Sequence, residues 1–241
     1  MEETLEKTIG QIVADDYRSA AVFEKFGIDF CCNGNRGIEE ACEQKKVDAG
    51  ELRKKLEIAL ALTTAETTDY KSWLMDQLAD HIEKKHHRYV EERIPVLKQY
   101  LTKINKVHGA KHPELQQIHD LFVASGGELA MHMKKEELVL FPYIRKMVKA
   151  KQSGENLNEP RFGTVKNPIQ TMMQEHDNEG ERFRQIEALS DNYTPPEDAC
   201  GTYKVTFAML KEFQDDLHRH IHLENNILFP KAEELESELN A

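Results

Sequence analysis

The sequence predicts an all-α protein, and three features of its 241 residues lead to that prediction. Glycine and proline are scarce, at 12 and 8 residues, while Leu, Ala, Glu and Lys are abundant. From about residue 70 onward, apolar residues recur every three or four positions, which is the spacing of an amphipathic helix. No stretch alternates apolar and polar residues with a period of two, so we expect no β-sheet.

The N-terminal quarter is expected to form a small domain of short helices, over residues 1–62. Thr8 followed by Gln11 is the pattern of a capping box ahead of the first apolar helix face. Gly27 is placed to end the second helix, because glycine readily adopts the left-handed conformation found after helices. The chain between the second and third helices then forms an irregular turn.

A polar stretch separates this small domain from the rest of the chain. Residues 63–69 (T-T-A-E-T-T-D) contain few helix formers, and we predict that they form a linker. The remainder, residues 70–241, is long enough to form a second, larger domain.

Four long amphipathic segments follow the linker. The first two are predicted over residues 70–107 and 113–150. The third is predicted to begin at Pro168, which suits the first turn of a helix after a capping Asn167. The fourth is predicted to begin at Thr194, where T-P-P-E forms a second capping box. Four such helices with fairly short connections favour an antiparallel four-helix bundle.

Two matching stretches lie in the second and fourth helices. His132–Pro142 has the sequence H-M-K-K-E-E-L-V-L-F-P, and His220–Pro230, 88 residues later, has H-I-H-L-E-N-N-I-L-F-P. In both, a glutamate follows the histidine after four residues, so the two side chains share one face of a helix.

The match extends upstream, so residues 70–241 contain two copies of one structural unit. His87 precedes the first stretch by 45 residues, and His176 precedes the second by 44. Two repeats, over about 70–150 and 168–241, are therefore predicted.

Polar residues occupy positions of the repeats where the helical pattern calls for apolar ones. These positions are His132, Glu136, His176, His220 and Glu224. A lone core histidine is commonly only hydrogen-bonded, and a lone H-x-x-x-E is commonly a surface pair. Repetition with a shared L-F-P ending favours a metal instead, because a metal binds both neutral imidazole and ionised carboxylate. With His87, the set of four histidines and two glutamates suggests a two-metal site.

The donor types narrow the choice of metal. Nitrogen and oxygen ligands without thiolate suit iron or manganese better than a structural zinc site. Six protein ligands are too few for two octahedral ions unless the glutamates bridge them. Bridging carboxylates with an oxo or hydroxo bridge would leave an open position on each metal, for a small ligand or for release of the metal.

The motifs resemble those of two known domains. The two H-x-x-x-E-x-x-x-L-F-P stretches, with His87 and residues 175–177 upstream, resemble the hemerythrin-like di-iron bundle. Residues 27–34, which include Cys31 and Cys32, and the following E-A-C resemble the N-terminal domain of the iron–sulfur cluster repair di-iron proteins, the repair-of-iron-centres family. The resemblance covers nearly the whole chain and implies a hemerythrin-like antiparallel four-helix bundle with a small N-terminal helical domain.

The resemblance also implies roles for individual residues. Glu136 and Glu224 would be the bridging carboxylates, and the histidines would complete a centre of two iron ions: His87, His132, His176 and His220. Helical phase alone leaves both His86 and His87 as candidates for the first of these. The family places its ligand eight residues before a proline, which selects His87 ahead of Pro95.

The adjacent thiols Cys31 and Cys32 allow two interpretations. They could form a redox-active or transient metal-binding pair, especially where a helix N-terminus lowers their pKa. They could equally be buried as small hydrophobic residues. Two thiols cannot hold an iron–sulfur cluster alone, so a role with a cluster would need a partner chain or added ligands.

The resemblance implies a stress-response protein that repairs iron–sulfur clusters damaged by oxidative or nitrosative stress. Iron would be donated from a labile, oxo- or hydroxo-bridged di-iron centre to iron–sulfur proteins, with help from a reductant. Two alternatives remain open: a nitric oxide or peroxide reductase using the same site, and an oxygen or nitric oxide sensor. The chain could also pair with a second copy as a homodimer.

Charge and composition limit the choice of cellular compartment and of binding partners. A net charge of −11 argues against nonspecific binding to nucleic acid or to an anionic membrane. The first residues lack a basic region and an apolar run, and no stretch approaches the ~18 apolar residues of a membrane span. We therefore expect a cytoplasmic protein with free or metal-binding thiols: Cys31, Cys32, Cys42 and Cys200.

Overall fold

The computed structural model describes residues 7–61, 68–157 and 160–240. Helices dominate these residues and none of them forms a strand, which confirms the all-α prediction. Most of the predicted linker, residues 63–67, lies outside the described residues, and the division at that point stays a prediction. None of the described helices is both long enough and apolar enough to cross a bilayer.

Within residues 7–61, the N-terminal unit contains four α-helices and a 3-10 turn at Tyr17–Ser19. The helices are α1 (Ile9–Asp15), α2 (Ala20–Lys25), α3 (Ile38–Lys45) and α4 (Ala49–Ala61). The predicted capping box is confirmed: Gln11 N–H donates to Thr8 Oγ1 at 3.3 Å, and Thr8 N–H donates to Gln11 Oε1 at 2.9 Å. Gly27 has a φ of +64° just after α2, as expected of a residue that ends a helix.

Seven further α-helices are found in residues 68–157 and 160–240. They are α5 (Met75–His81), α6 (Arg88–His108), α7 (Glu114–Lys135), α8 (Phe141–Ser153), α9 (Lys166–Leu189), α10 (Gly201–Leu223) and α11 (Phe229–Leu239). Helix α6 packs against α7 and α10, and α9 packs against the same two helices, so the four long helices form a bundle. We call α5–α8 the first repeat and α9–α11 the second.

Three predicted helix starts were wrong. Residues 70–72 form a separate 3-10 turn, so the first helix begins only at Met75. Helix α9 begins at Lys166, and the Asn167 side chain does not cap it but donates to the Phe162 carbonyl at 2.7 Å.

The largest error concerns Thr194, since α10 begins at Gly201. The three residues before Thr194 have φ values of +49°, +55° and +58° and form a left-handed turn that closes α9. The Thr194 N–H then bonds back to the Ser190 carbonyl at 3.0 Å, so Thr194 belongs to the end of one helix, not to the start of the next.

Three π-helical turns interrupt the long helices. They are Ile82–His87, Glu136–Leu140 and Glu224–Leu228, and they join α5 to α6, α7 to α8 and α10 to α11. A π-turn holds an extra residue relative to an α-turn and is frequent at functional sites. The second and third begin at the glutamates singled out in the sequence, so the backbone irregularity repeats with the motif.

The apolar core divides into two clusters. One combines the N-terminal unit with the long stretches of α6, α7, α9 and α10, and the other fills the end formed by α5, α8 and α11. In each long helical segment the change from one cluster to the other occurs near a histidine or glutamate of the predicted site. The histidines and glutamates of the predicted site therefore lie between the two apolar clusters.

Candidate metal centre

The structure brings all six predicted ligands together in the bundle interior. None is more than 3% exposed, and the six are His87, His132, Glu136, His176, His220 and Glu224. They form two groups, in each of which the candidate ligand atoms lie within 4.8 Å of one another. One group contains His87 and His220, the other contains His132 and His176, and both groups include both glutamates.

This grouping settles which histidines are close together, which the sequence left open. Each group takes one histidine from each repeat, so neither repeat could complete a group alone. Glu136 and Glu224 belong to both groups and lie where carboxylates that bridge two cations would lie.

The distances show how the carboxylates are placed. Glu136 Oε2 lies 3.3 Å from the Nε2 atoms of both His87 and His132. Glu224 uses its two oxygens separately: Oε1 lies 3.0 Å from His220 Nε2, and Oε2 lies 3.2 Å from His176 Nε2. All four histidines thus direct Nε2 toward the carboxylates at the centre.

Several buried polar atoms of this cluster have no hydrogen-bond partner among the described residues. They are Nε2 of His87, both carboxylate oxygens of Glu136, Oε2 of Glu224 and Nδ1 of His220. An unsatisfied buried polar atom is unfavourable by about 1–3 kcal/mol, and more when it is charged. A pair of cations between the helices would satisfy the Nε2 and carboxylate atoms, so these residues fit a two-metal site.

The electrostatics are those of two carboxylates kept ionised inside a protein. Burial raises the pKa of Glu136 and Glu224, but the surrounding histidines outweigh it and hold both pKa values below their usual range. Burial likewise opposes the charged form of His132, yet Glu136 and Glu175 together raise its pKa to about 10. Without a metal, protons on histidine would therefore supply the positive charge that the carboxylates require.

Three of the histidines are held by an acceptor on their other ring nitrogen. Glu137 Oε1 lies 3.0 Å from His87 Nδ1, Glu175 Oε2 lies 2.9 Å from His132 Nδ1, and Asn225 Oδ1 lies 2.8 Å from His176 Nδ1. Such acceptors fix the tautomer with the proton on Nδ1 and leave Nε2 to bind a metal.

Our sequence reasoning gave these acceptors no role, although each adjoins a predicted ligand in the chain. Glu137 and Asn225 directly follow the two shared glutamates, and Glu175 directly precedes His176. The hydrogen bond from His132 lowers the pKa of Glu175 to about 2, so it acts as an ionised acceptor.

His86, the alternative first ligand, lies beside the cluster and not in it. Its Nδ1 lies 3.0 Å from Asp216 Oδ1. Its ring stacks on His220 with a centroid distance of 5.6 Å and an interplanar angle of 10°. Of the two neighbouring histidines, the fold therefore brings His87 into the cluster.

The thiols lie against the second repeat, close to the cluster. The Sγ atoms of Cys31 and Cys32 are 3.8 Å apart, and the Cys32 thiol donates to the His176 carbonyl at 3.4 Å. Asn225 links the two regions, because its amide donates to the Cys31 carbonyl at 3.2 Å while its oxygen accepts from His176.

The condition that would favour a reactive thiol pair, a lowered pKa, is not met at Cys31. The hydrogen bond with Cys32, burial, and the nearby Asp29 carboxylate all raise the pKa of Cys31 well above its ordinary value. Asp29 accepts from the backbone N–H groups of Cys31 and Cys32 at 3.1 and 2.9 Å, so it shapes the turn as well.

Comparison with known proteins identifies the fold and the type of site. Residues 78–232 match the hemerythrin HHE cation binding domain. The chain belongs to the hemerythrin HHE family. In this HHE protein, residues 5–60 also match a family described as a domain of unknown function, DUF542.

Curated relatives share both regions of the HHE protein. The iron-sulfur cluster repair protein YtfE of Enterobacter sp. (strain 638) is 33% identical over 227 residues, covering 94% of this chain and 96% of the relative. The iron-sulfur cluster repair protein YtfE of Musicola paradisiaca is 34% identical over 230 residues, with coverage of 94% and 96%. The iron-sulfur cluster repair protein ScdA of Staphylococcus haemolyticus is 32% identical over 228 residues, with coverage of 95% and 98%.

Proposed function

We propose that this chain is a di-iron protein that repairs iron–sulfur clusters damaged by oxidative or nitrosative stress, by donating iron to them. The observation that carries the proposal is the buried cluster of four histidines around two shared, ionised glutamates. The family's cation-binding description and the names of the relatives support it. A donor set of nitrogen and oxygen without thiolate suits iron.

Each iron would be held by one histidine of each repeat and by both glutamates. The pairs would be His87 with His220, and His132 with His176. Bound iron supplies a pair of redox-active cations whose affinity for these ligands depends on their oxidation state. The chain's own contribution is to keep Glu136 and Glu224 ionised and to direct the Nε2 atoms of the four histidines toward the centre.

The recipients would be iron–sulfur proteins. The turn that carries Cys31 and Cys32, which we call the thiol turn, is placed to take part in the transfer. Cys31 and Cys32 pack directly on the helix that carries His176, so a metal leaving that side would meet them. The four cysteines are free thiols in the structure, which suits the reducing cytosol as its compartment.

The test is restoration of a damaged iron–sulfur enzyme. Iron-loaded protein should restore activity to an enzyme whose cluster was damaged with peroxide, and it should lose its own iron in proportion. Glu136→Ala, which removes a shared ligand, should restore nothing. Restoration at the same rate by Glu136→Ala would contradict the proposal, and nitric oxide turnover without loss of iron would favour a reductase instead.

The release step has its own measurement. Reduction to ferrous iron should speed the appearance of chelator-accessible iron, because the carboxylates and imidazoles hold the more highly charged ferric ion more strongly. Equal release rates before and after reduction would count against iron donation as the mechanism.

A further inference from the structure

Among the described residues, the N-terminal unit packs on the outer face of the second repeat. The Arg219 guanidinium lies 4.3 Å from the Tyr17 ring centroid, and the His222 ring lies 5.8 Å from that of Phe30. Asn226 continues this contact, with its amide 3.4 Å from the Phe30 carbonyl. The surface beside the L-F-P turn of the second repeat is therefore an interface within the chain.

The corresponding face of the first repeat is open. The positions 88 residues earlier than Arg219, His222 and Asn226 are Met131, Lys134 and Leu138, and all three are exposed. Leu138 is 73% exposed and Val139 is 45% exposed, whereas Ile227, the counterpart of Val139, is 3% exposed. The same structural position is thus buried in one repeat and presents apolar side chains to solvent in the other.

Charge also separates the two faces. Residues 138–154 contain four basic residues and no acidic one, while the corresponding residues 226–240 contain four glutamates and one lysine. Lys146, Lys149 and Arg161 make no ion pair with any described residue. In a chain with a net charge of −11, this concentration of unpaired positive charge is a local exception.

These residues line one concave surface, which we call the basic groove. Its lining includes Leu138, Val139, Pro142, Lys146, Lys149 and Arg161, and it contains one carboxylate, Glu155, against these three cations. Apolar side chains together with unpaired cations form the composition of a recognition surface for an acidic protein. The groove also adjoins the metal centre, since Glu137, the residue before Leu138, accepts from His87 at 3.0 Å.

We infer that the basic groove docks an acidic partner protein, the iron–sulfur protein that receives the metal. This inference rests on the proposed function for the partner's identity. The arrangement of the second repeat supports it: there the N-terminal unit contacts His176 through Asn225, and a partner in the basic groove would reach His87 through Glu137 in the corresponding way. The second repeat thus carries the chain's own N-terminal unit with Cys31 and Cys32, and the first repeat is open to the protein that receives the iron.

The experiment measures binding and transfer separately, with an acidic apo-ferredoxin as the probe. Binding to the iron-loaded full chain is followed by fluorescence anisotropy of the labelled apo-ferredoxin at low and high salt. The test variant is Lys146→Glu combined with Lys149→Glu. The matched control is Lys103→Glu combined with Lys106→Glu. This exposed pair has the same spacing and lies near the C-terminal end of α6, the end that is farther along the helix from His87.

We expect the groove variant to weaken binding by about tenfold at low salt, because rim charges act mainly through electrostatic attraction that salt screens. The control should bind as the unaltered protein does. Leu138→Asp, which keeps both lysines, should also weaken binding by removing the apolar contact. Equal affinity of the groove variant and the control, or no binding of apo-ferredoxin by the unaltered chain, would overturn the docking inference.

The transfer measurement distinguishes the two proposals. Release of iron to a small chelator should be the same in the groove variant, the control and the unaltered protein. Binding that depends on the groove without any transfer of iron would retain the docking surface and refute iron donation. A dimer of this chain that dissociates in the groove variant would overturn the inference and assign the groove to a second copy.

Discussion

The two repeats supply the same inner residues to the metal centre but differ in what lies behind them. His87 of the first repeat is held by the carboxylate of Glu137, and His176 of the second by the amide of Asn225. An imidazole that donates its Nδ1 proton to a carboxylate binds a metal through Nε2 more strongly than an imidazole that donates to an amide oxygen. The comparison shows that the two repeats share buried histidines and a buried glutamate while their surrounding contacts differ, toward solvent in one repeat and toward the N-terminal unit in the other.

The difference makes the two proposed metal positions unequal. The histidines of one group, His132 and His176, both have an acceptor on Nδ1. In the other group, His87 has one but His220 Nδ1 has no partner among the described residues and its ring packs on His86. We therefore expect the iron at His87 and His220 to be held less tightly and to leave first.

The largest expected effect concerns the residues common to both groups. Glu136→Ala and Glu224→Ala should each abolish most binding at both positions, so that iron falls from about two per chain to near zero, because each carboxylate serves both ions. His87→Ala removes a ligand of one position only and should retain about one iron. Metal analysis of the purified variants measures this, and full occupancy in both glutamate variants would refute the bridging role.

A second prediction concerns the interface that only the second repeat has. A Cβ at Gly34 would clash with the Phe30 carbonyl oxygen and lie 3.1 Å from Asn226 Oδ1 of the second repeat, so Gly34→Ala must shift the turn that carries Cys31 and Cys32. The expected loss of stability is about 1–3 kcal/mol, as for other overpacked sites. Urea unfolding measures it.

Gly37→Ala is the matched control, since a Cβ at Gly37 meets no atom within 4 Å and its φ of −75° suits alanine. It should lower the unfolding midpoint by less than Gly34→Ala does, because its cost is limited to replacing the N-cap glycine of α3. If both variants unfold at the same urea concentration, the close packing of the thiol turn is not a source of stability.

The smallest effect tests the inequality of the two positions. Glu137→Gln should weaken the iron at His87 by about tenfold, the lower end of the range for residues that support a ligand. Release of iron to a chelator should then show a faster first phase and an unchanged second phase. Asn225→Ala, the counterpart in the second repeat, should speed the second phase instead. A uniform change in both phases would show that the positions are not independent.

The sequence was sufficient to single out the histidine–glutamate pairs of the buried cluster because the repeat makes the signal redundant. His132 with Glu136 and His220 with Glu224 occur at the same spacing in helices that otherwise require apolar residues. The all-α class followed from the same periodicity. Each of these features depends on local spacing along one helix, which is visible without knowledge of the fold.

What the sequence could not give depends on contacts between distant elements. Pairing of His87 with His220 follows from how α6 and α10 pack, and no spacing along the chain encodes it. The choice between His86 and His87 depends on a π-turn that shifts the helical phase. The helix start predicted at Thr194 was wrong although the T-P-P-E sequence has the pattern of a capping box. The left-handed turn before Thr194 already uses its backbone N–H.

The central claim is that both repeats contribute to each of two irons through shared carboxylates. The most direct test is anomalous diffraction at the iron edge from crystals of the iron-loaded protein. We predict two iron peaks inside the bundle, one contacting His87 and His220, the other His132 and His176, with Glu136 and Glu224 contacting both. A single peak, or two peaks each bound by the histidines of one repeat only, would contradict the account.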